Sequence, residues 1–196
     1  MAYPYHERVA LSYPLITTGR ALVPGTRMGL RSPERPLTRG ERVVVLASGL
    51  GEGRRIGTLA RLESVRPAPG EGLFLGLWGE SLVAVAGRSG ERAVVEPVDG
   101  PGSPDAAALV AEAERALRAF HAAAAEAGEG GDIGIRLSPD PVRASHEVAS
   151  HLRVSWPEIQ ELLEAGDAGE RLRRSVMVLR RETRLLRLLM GGKGAS

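Results

Sequence analysis

Hydrophobic and polar positions change their period once along this chain. Up to about residue 99 the apolar residues fall in short runs separated by glycine and proline, the pattern of β-strands and turns. Strands are predicted over residues 9–16, 21–30, 42–47, 55–65, 73–78, 81–87 and 92–98, with turn residues at 67–72 and 88–90. Leu82, Ala84 and Ala86 alternate with Val83 and Val85, so that strand is apolar on both faces and is expected at the centre of the sheet. Short strands at regular spacing point to a small barrel or sandwich.

Beyond Asp99-Gly100-Pro101-Gly102-Ser103-Pro104 the period becomes helical. Ser103, Pro104 and Asp105 supply a cap, a proline tolerated in the first turn and an acid there. The alanine-rich run to Ala127 favours helix, and Gly128 ends it. Leu109, Ala113, Leu117 and Phe120 lie on one stripe. A glycine-rich loop follows over 128–134, and Asp140-Pro141 opens another helix. Ser155 and Glu158 have capping-box spacing with Pro157 in the first turn; Gly166 is placed as that helix's end, and Asp167 with Glu170 as the next cap. The last helix is predicted over 168–190. Leu172, Val176, Leu179, Thr183, Leu186 and Met190 alternate in steps of four and three, the seam of a packed or coiled helix. The chain is therefore α+β, with a β-rich part over 1–102 and a helical part over 103–196 that ends in a long helix.

Composition narrows the chemistry. The 196 residues are 43% hydrophobic and 26% charged, with a formal net charge of +2 and no cysteine. Disulfides, thiolate nucleophiles and cysteine zinc sites are excluded. No apolar stretch is long enough to span a bilayer and the amino terminus lacks a signal-peptide core, so a cytoplasmic protein is expected, without membrane association. His146 and His151 stand five apart, about 140° around a helix, where they cannot share a zinc ion. Gly49-Leu50-Gly51-Glu52-Gly53 follows an apolar run, but Arg54 replaces the third glycine of a dinucleotide loop, and a strand rather than a helix comes next. Gly191-Gly192-Lys193-Gly194 lacks the spacing and the Ser or Thr of a P-loop. The carboxylates of Glu161 and Glu164 read as a solvated helix face. No catalytic residue, metal or cofactor is expected.

Several segments resemble the N-terminal domain of Lon proteases, the part of that ATP-dependent protease that recognises substrates. They are Val148-Ala149-Ser150, Leu152, Gln160, Leu162-Leu163-Glu164 and Arg171-Leu172 near the end. Earlier in the chain come Tyr13-Pro14-Leu15 with Leu22-Val23-Pro24-Gly25-Thr26, then Ile56 to Leu62, Gly76-Leu77-Trp78-Gly79, and Ala93 to Pro97. The resemblance covers roughly residues 11 to 190. It departs after Gly79, where relatives carry an arginine about three residues on and this chain has Glu80-Ser81-Leu82. It implies a PUA-like β-barrel or sandwich followed by a helical subdomain, standing alone here without ATPase or protease domains. The implied function is non-catalytic binding of apolar segments of unfolded or partly folded proteins, with a protease as a possible partner. Leu22, Val23 and Trp78 are candidate contacts, although core or staple is the favoured reading of Trp78 and Trp156 over an exposed peptide anchor.

Two alternatives remain open. Arg173, Arg180, Arg184 and Arg187 on the last helix could hold RNA phosphates, although acids nearly balance bases and aromatics for stacking are scarce, which makes nucleic acid the weaker reading. The Leu172 to Met190 seam could instead pair two copies in a homodimer.

Overall fold

The computed structural model describes residues 11–33, 36–47, 56–98, 105–128 and 134–193. The glycine-rich segment 49–53, the Ser103-Pro104 cap, most of the 128–134 loop and Gly194 lie outside the described residues. Six strands precede four helices, an α+β fold. Contacts divide the chain into two units: one carries the strands, the other carries the helices together with Val23–Thr26.

The strands are β1 (Leu11–Thr18), β2 (Arg27–Ser32), β3 (Arg42–Ala47), β4 (Ile56–Pro67), β5 (Leu73–Ser89) and β6 (Arg92–Pro97). They run in the order β2-β5-β4-β3-β1-β6, and a further β5–β6 pairing closes the sheet into a barrel with β2 along one edge. The β1–β3 pair is parallel and the other pairs are antiparallel. Ile16, Leu22, Val43, Val45, Leu62, Leu75 and Leu77 pack into one apolar cluster, and Leu15, Val44, Leu46, Val83, Ala93 and Val95 into another. Consecutive residues of β3 thus enter different clusters, which is why its sequence is an unbroken apolar run.

Three strand expectations change. The 21–30 segment is strand only from Arg27. Pro24 has no N–H for a ladder and Gly25 adopts φ +81°, so the chain turns there, with the Thr26 amide and hydroxyl both donating to the Val23 carbonyl. The 73–78 and 81–87 segments are one strand. The register slips opposite Leu59 and Ala60, leaving Glu80 as a bulge whose carboxylate accepts from Arg42 at 2.7 Å. Within it Leu82 and Val83 are buried, but Ala84 and Val85 are half-buried and Ala86 is exposed, so only the first part of that run is enclosed on both faces.

The helices are α1 (Ala106–Glu126), α2 (Pro141–His151), α3 (Trp156–Leu163) and α4 (Ala168–Lys193). Two caps form as their residues predict: the Val142 amide donates to Asp140 Oδ1 and the Glu170 amide to Asp167 Oδ1. Gly166 is not the cap of α3, which ends at Leu163 and is capped by Glu164 in right-handed conformation. Leu172, Val176 and Leu179 of α4 are buried against Val110, Leu117 and Phe120 of α1 and Ala144 and Val148 of α2. The heptad seam is therefore filled within the chain. A homodimer through it would have to displace α1 and α2, so the dimer reading loses its surface. Arg171 is buried beside the seam, where its Nε donates to Ser145 Oγ at 3.2 Å and links α4 to α2.

Close approach, not backbone freedom, explains Gly57 of β4. A Cβ there would sit 2.8 Å from the Val45 carbonyl oxygen, whereas one at Gly76 would meet the movable hydroxyl of Ser64. Gly57→Ala should therefore cost about 1–3 kcal/mol in urea unfolding, as overpacking does, and Gly76→Ala clearly less. Equal costs would show that the β3–β4 approach is not what demands glycine.

Candidate functional site

The site is built around α4, because its inner face is full and its outer faces set exposed aliphatic side chains among arginines. Successive residues turn by 100°, so steps of seven or eleven return to nearly the same line. Met177 and Leu188 form one such line, and Val178, Leu185 and Leu189 another beside it. The first runs opposite the buried Leu179 and the second about 80–120° to one side of it. Met177 is 69% exposed, Leu188 65%, Leu189 68% and Leu185 47%, so the outward side of α4 carries a stripe of uncovered aliphatic side chains over about 18 Å, interleaved with the exposed Arg181 and Arg184.

At one flank the stripe runs into a groove between α3 and α4. Leu162, Met177 and Val178 form its apolar floor, and Glu158, Glu161, Arg174 and Arg181 its rim, around a cavity of about 370 Å³. Glu158 holds the groove together. Its carboxylate accepts from the amide and hydroxyl of Ser155, closing the capping box of α3, and from Arg181 of α4 at 2.8 Å. The Arg181 hydrogen bond, aided by those from Ser155, pulls the Glu158 carboxyl below its ordinary range. Arg174 is held by Glu170 at 2.8 Å and Arg181 also by Glu182 at 2.8 Å. The groove's cations are thus neutralised locally, and its floor is what it offers a ligand.

The opposite flank of α4 forms a second groove, with α1. Ala116, Ala119 and Thr183 floor it, and Arg115, Arg180, Arg184 and Arg187 surround a cavity of about 590 Å³. Of the arginines considered for RNA, Arg180, Arg184 and Arg187 meet here. Arg173 does not, and its guanidinium pairs with Glu170 at 3.4 Å. Arg115, from a helix far away in sequence, completes the group and was not foreseen.

Other candidates fall elsewhere. Leu22 and Val23 are 3% and 5% exposed. Leu22 belongs to the barrel core, so neither is presented to a passing chain. Trp78 is half-buried on β5 with the Arg27 guanidinium over its ring at 5.4 Å. Trp156 stands at the start of α3, 44% exposed. Among the described residues the edge strand β2 pairs only with β5, and its Arg27 and Arg31 are exposed and hydrogen-bonded to Glu63, Pro69 and Glu71, which blunts it as a template for an added strand. A polar depression at Arg42, Arg61 and Glu80 pairs its own charges. His146 is buried in α2, while the His151 ring meets His121 edge-on at 5.3 Å. Among the described residues no group of three or more His, Asp or Glu could hold a metal ion, and no helix is long and apolar enough to cross a membrane.

No protein-family profile and no curated protein sequence matches the chain. Solved structures do. The N-terminal domain of Mycobacterium avium complex Lon protease superposes with a TM-score of 0.67 at 20% identity, over 87% of this chain and 98% of that one. A Lon N-terminal domain protein from Xanthomonas campestris superposes with a TM-score of 0.53 at 23% identity, over 84% and 96%. The chain has the Lon N-terminal-domain fold. Both matches take in nearly the whole of the other chain. The Lon-like segment from Val148 to Leu172 forms the end of α2, all of α3 and the start of α4, and so it includes Glu158 and the α3 side of the first groove.

Glu158 gives the groove a pH dependence. Its folded pKa is depressed, so its contribution is present above the ordinary carboxylate range and is lost as pH falls through that range toward the folded value. Amide exchange in α3 should accelerate on acidification below the ordinary glutamate range, about pH 4, while Glu158→Gln should exchange fast already at neutral pH with a flatter profile. An unchanged profile in that variant would remove Glu158 as the clamp.

Proposed function

We propose that this chain is a non-catalytic protein-recognition module that binds apolar segments of unfolded or partly folded polypeptides. The observation that carries the proposal is the exposed aliphatic stripe of α4 running into the α3–α4 groove. A surface helix ordinarily turns polar residues outward, and a run of exposed aliphatics bordered by charges marks a place where another chain is meant to lie. The Met177 thioether chain can adapt to varied side chains, which suits a binder of many sequences. Helix-in-groove docking needs apolar anchors spaced by three, four and seven residues, and the stripe offers matching positions. The Lon N-terminal-domain fold supports the same reading, because one of the similar structures is the N-terminal domain of a protease. A cytoplasmic setting and a protease that receives the bound client belong to the proposal.

The test is a titration of a fluorescently labelled, permanently unfolded model protein with the full chain and with Met177→Asp and Leu188→Asp variants. Burying a carboxylate under an apolar contact should weaken binding about tenfold or more in each variant, a loss of about 1.4 kcal/mol. Sedimentation at the same concentrations gives the mass. Undiminished binding by both variants, or a wild-type stripe already covered by a second copy, would overturn the proposal.

A further inference from the structure

We infer that the groove between α1 and α4 is a second binding site, one that selects acidic polypeptide segments by their carboxylates. Several arginines in this chain are paired: Arg27 with Glu63, Arg42 with Glu80, Arg143 with Glu147, Arg174 with Glu170 and Arg181 with Glu158. Arg66, Arg88 and Arg136 are not, among the described residues, and what sets the α1–α4 groove apart is that its arginines converge on one cavity. Arg180 reaches Glu112 at 2.7 Å, but among the described residues Arg115, Arg184 and Arg187 make no hydrogen bond or ion pair. Four guanidinium groups therefore face one carboxylate across a single cavity. An anion from outside would complement this excess of cations, and a guanidinium presents paired donors that match a carboxylate.

The rest of the lining decides which anion. The floor is Ala116, Ala119 and Thr183, and the Thr183 hydroxyl already donates to the Leu179 carbonyl, so the floor offers methyl groups and no free donor. Leu188 at the rim carries the apolar stripe into the groove. No aromatic ring lines it, so nothing can stack on a base. Small apolar floor, aliphatic rim and unpaired arginines together fit a peptide that alternates acidic and aliphatic side chains better than a sugar–phosphate strand. The inference rests on the recognition reading for its class of ligand, but not on the α3–α4 groove, which lies on the other flank of α4.

The experiment measures anisotropy of three labelled probes on the full chain: a short peptide with glutamate and leucine at helical spacing, the same peptide with glutamine for glutamate, and a single-stranded RNA. It is run at low and moderate salt with wild type, Arg184→Gln/Arg187→Gln, and Met177→Asp, each checked by thermal melting. Wild type should prefer the glutamate peptide about tenfold at low salt, with the preference shrinking as salt rises. The double arginine variant should bind both peptides alike, and Met177→Asp should keep the preference at reduced affinity. A preference that survives the arginine variant, an absent preference, or tighter binding of RNA overturns the inference. Binding of both peptides without preference leaves the recognition reading standing; binding of neither removes both.

Discussion

The helical unit depends on the burial of one face of α4. Leu172, Val176 and Leu179 are enclosed by α1 and α2, and each such side chain contributes on the order of 1.5–3 kcal/mol of apolar transfer. That face fixes how the helix is rotated, and rotation fixes everything else. Once the seam points inward, Met177 and Leu188 must point outward, Val178 and Arg181 must border α3, and Arg184 and Arg187 must border α1. A turn of one residue would bury arginines and expose the core. The grooves are consequences of the same packing that folds the unit, which is why they are rigid features and not accidents of loops.

Much of this was legible in the sequence where local chemistry decides. The helix starts were readable because capping needs particular side chains at fixed offsets, as Asp140, Ser155 and Asp167 show. The barrel's glycine approach at Gly57 and the outward stripe of α4 were not. A strand break was expected near Gly79-Glu80 because glycine and glutamate disfavour strands, yet a bulge absorbs Glu80 and two arginines hold its carboxylate. The stripe is not implied by the heptad, because one apolar seam on a helix is sufficient to explain that repeat. The available signal was a surplus: Met177, Val178, Leu185, Leu188 and Leu189 all lie off the seam, more apolar residues than one buried face requires. Arg115 carried no local signal at all, since only the α1–α4 packing brings it to Arg184 and Arg187.

Glu158 couples stability to the site. A single carboxylate closes the cap of α3 and clamps α3 to α4, so the groove's wall and the helix's first turn share one interaction. The Arg181–Glu158 pair is largely solvent-exposed, and such pairs contribute little free energy by themselves. Its effect is positional. It holds the α3 wall at a fixed distance from Met177 and Val178 and keeps the rim electrically quiet, so that an apolar segment meets methyl and methylene groups with little charge to desolvate.

The two flanks of α4 then divide the work that binding requires. Apolar contact supplies affinity without much discrimination, because burial is proportional to area and indifferent to sequence. Charge supplies discrimination and faster encounter, and adds little to affinity once desolvation is counted. A neutralised, apolar groove and an unneutralised, arginine-lined one on a single rigid helix place both terms within reach of one extended or helical segment. The distance between them is set by the helix and not by a flexible linker, so engagement of one groove raises the effective concentration at the other. On the proposed reading, a client carrying aliphatic residues alone would occupy one flank, and a client that adds carboxylates at the right spacing would occupy both. Selection among unfolded chains then follows from how the residues of α4 are distributed around its axis.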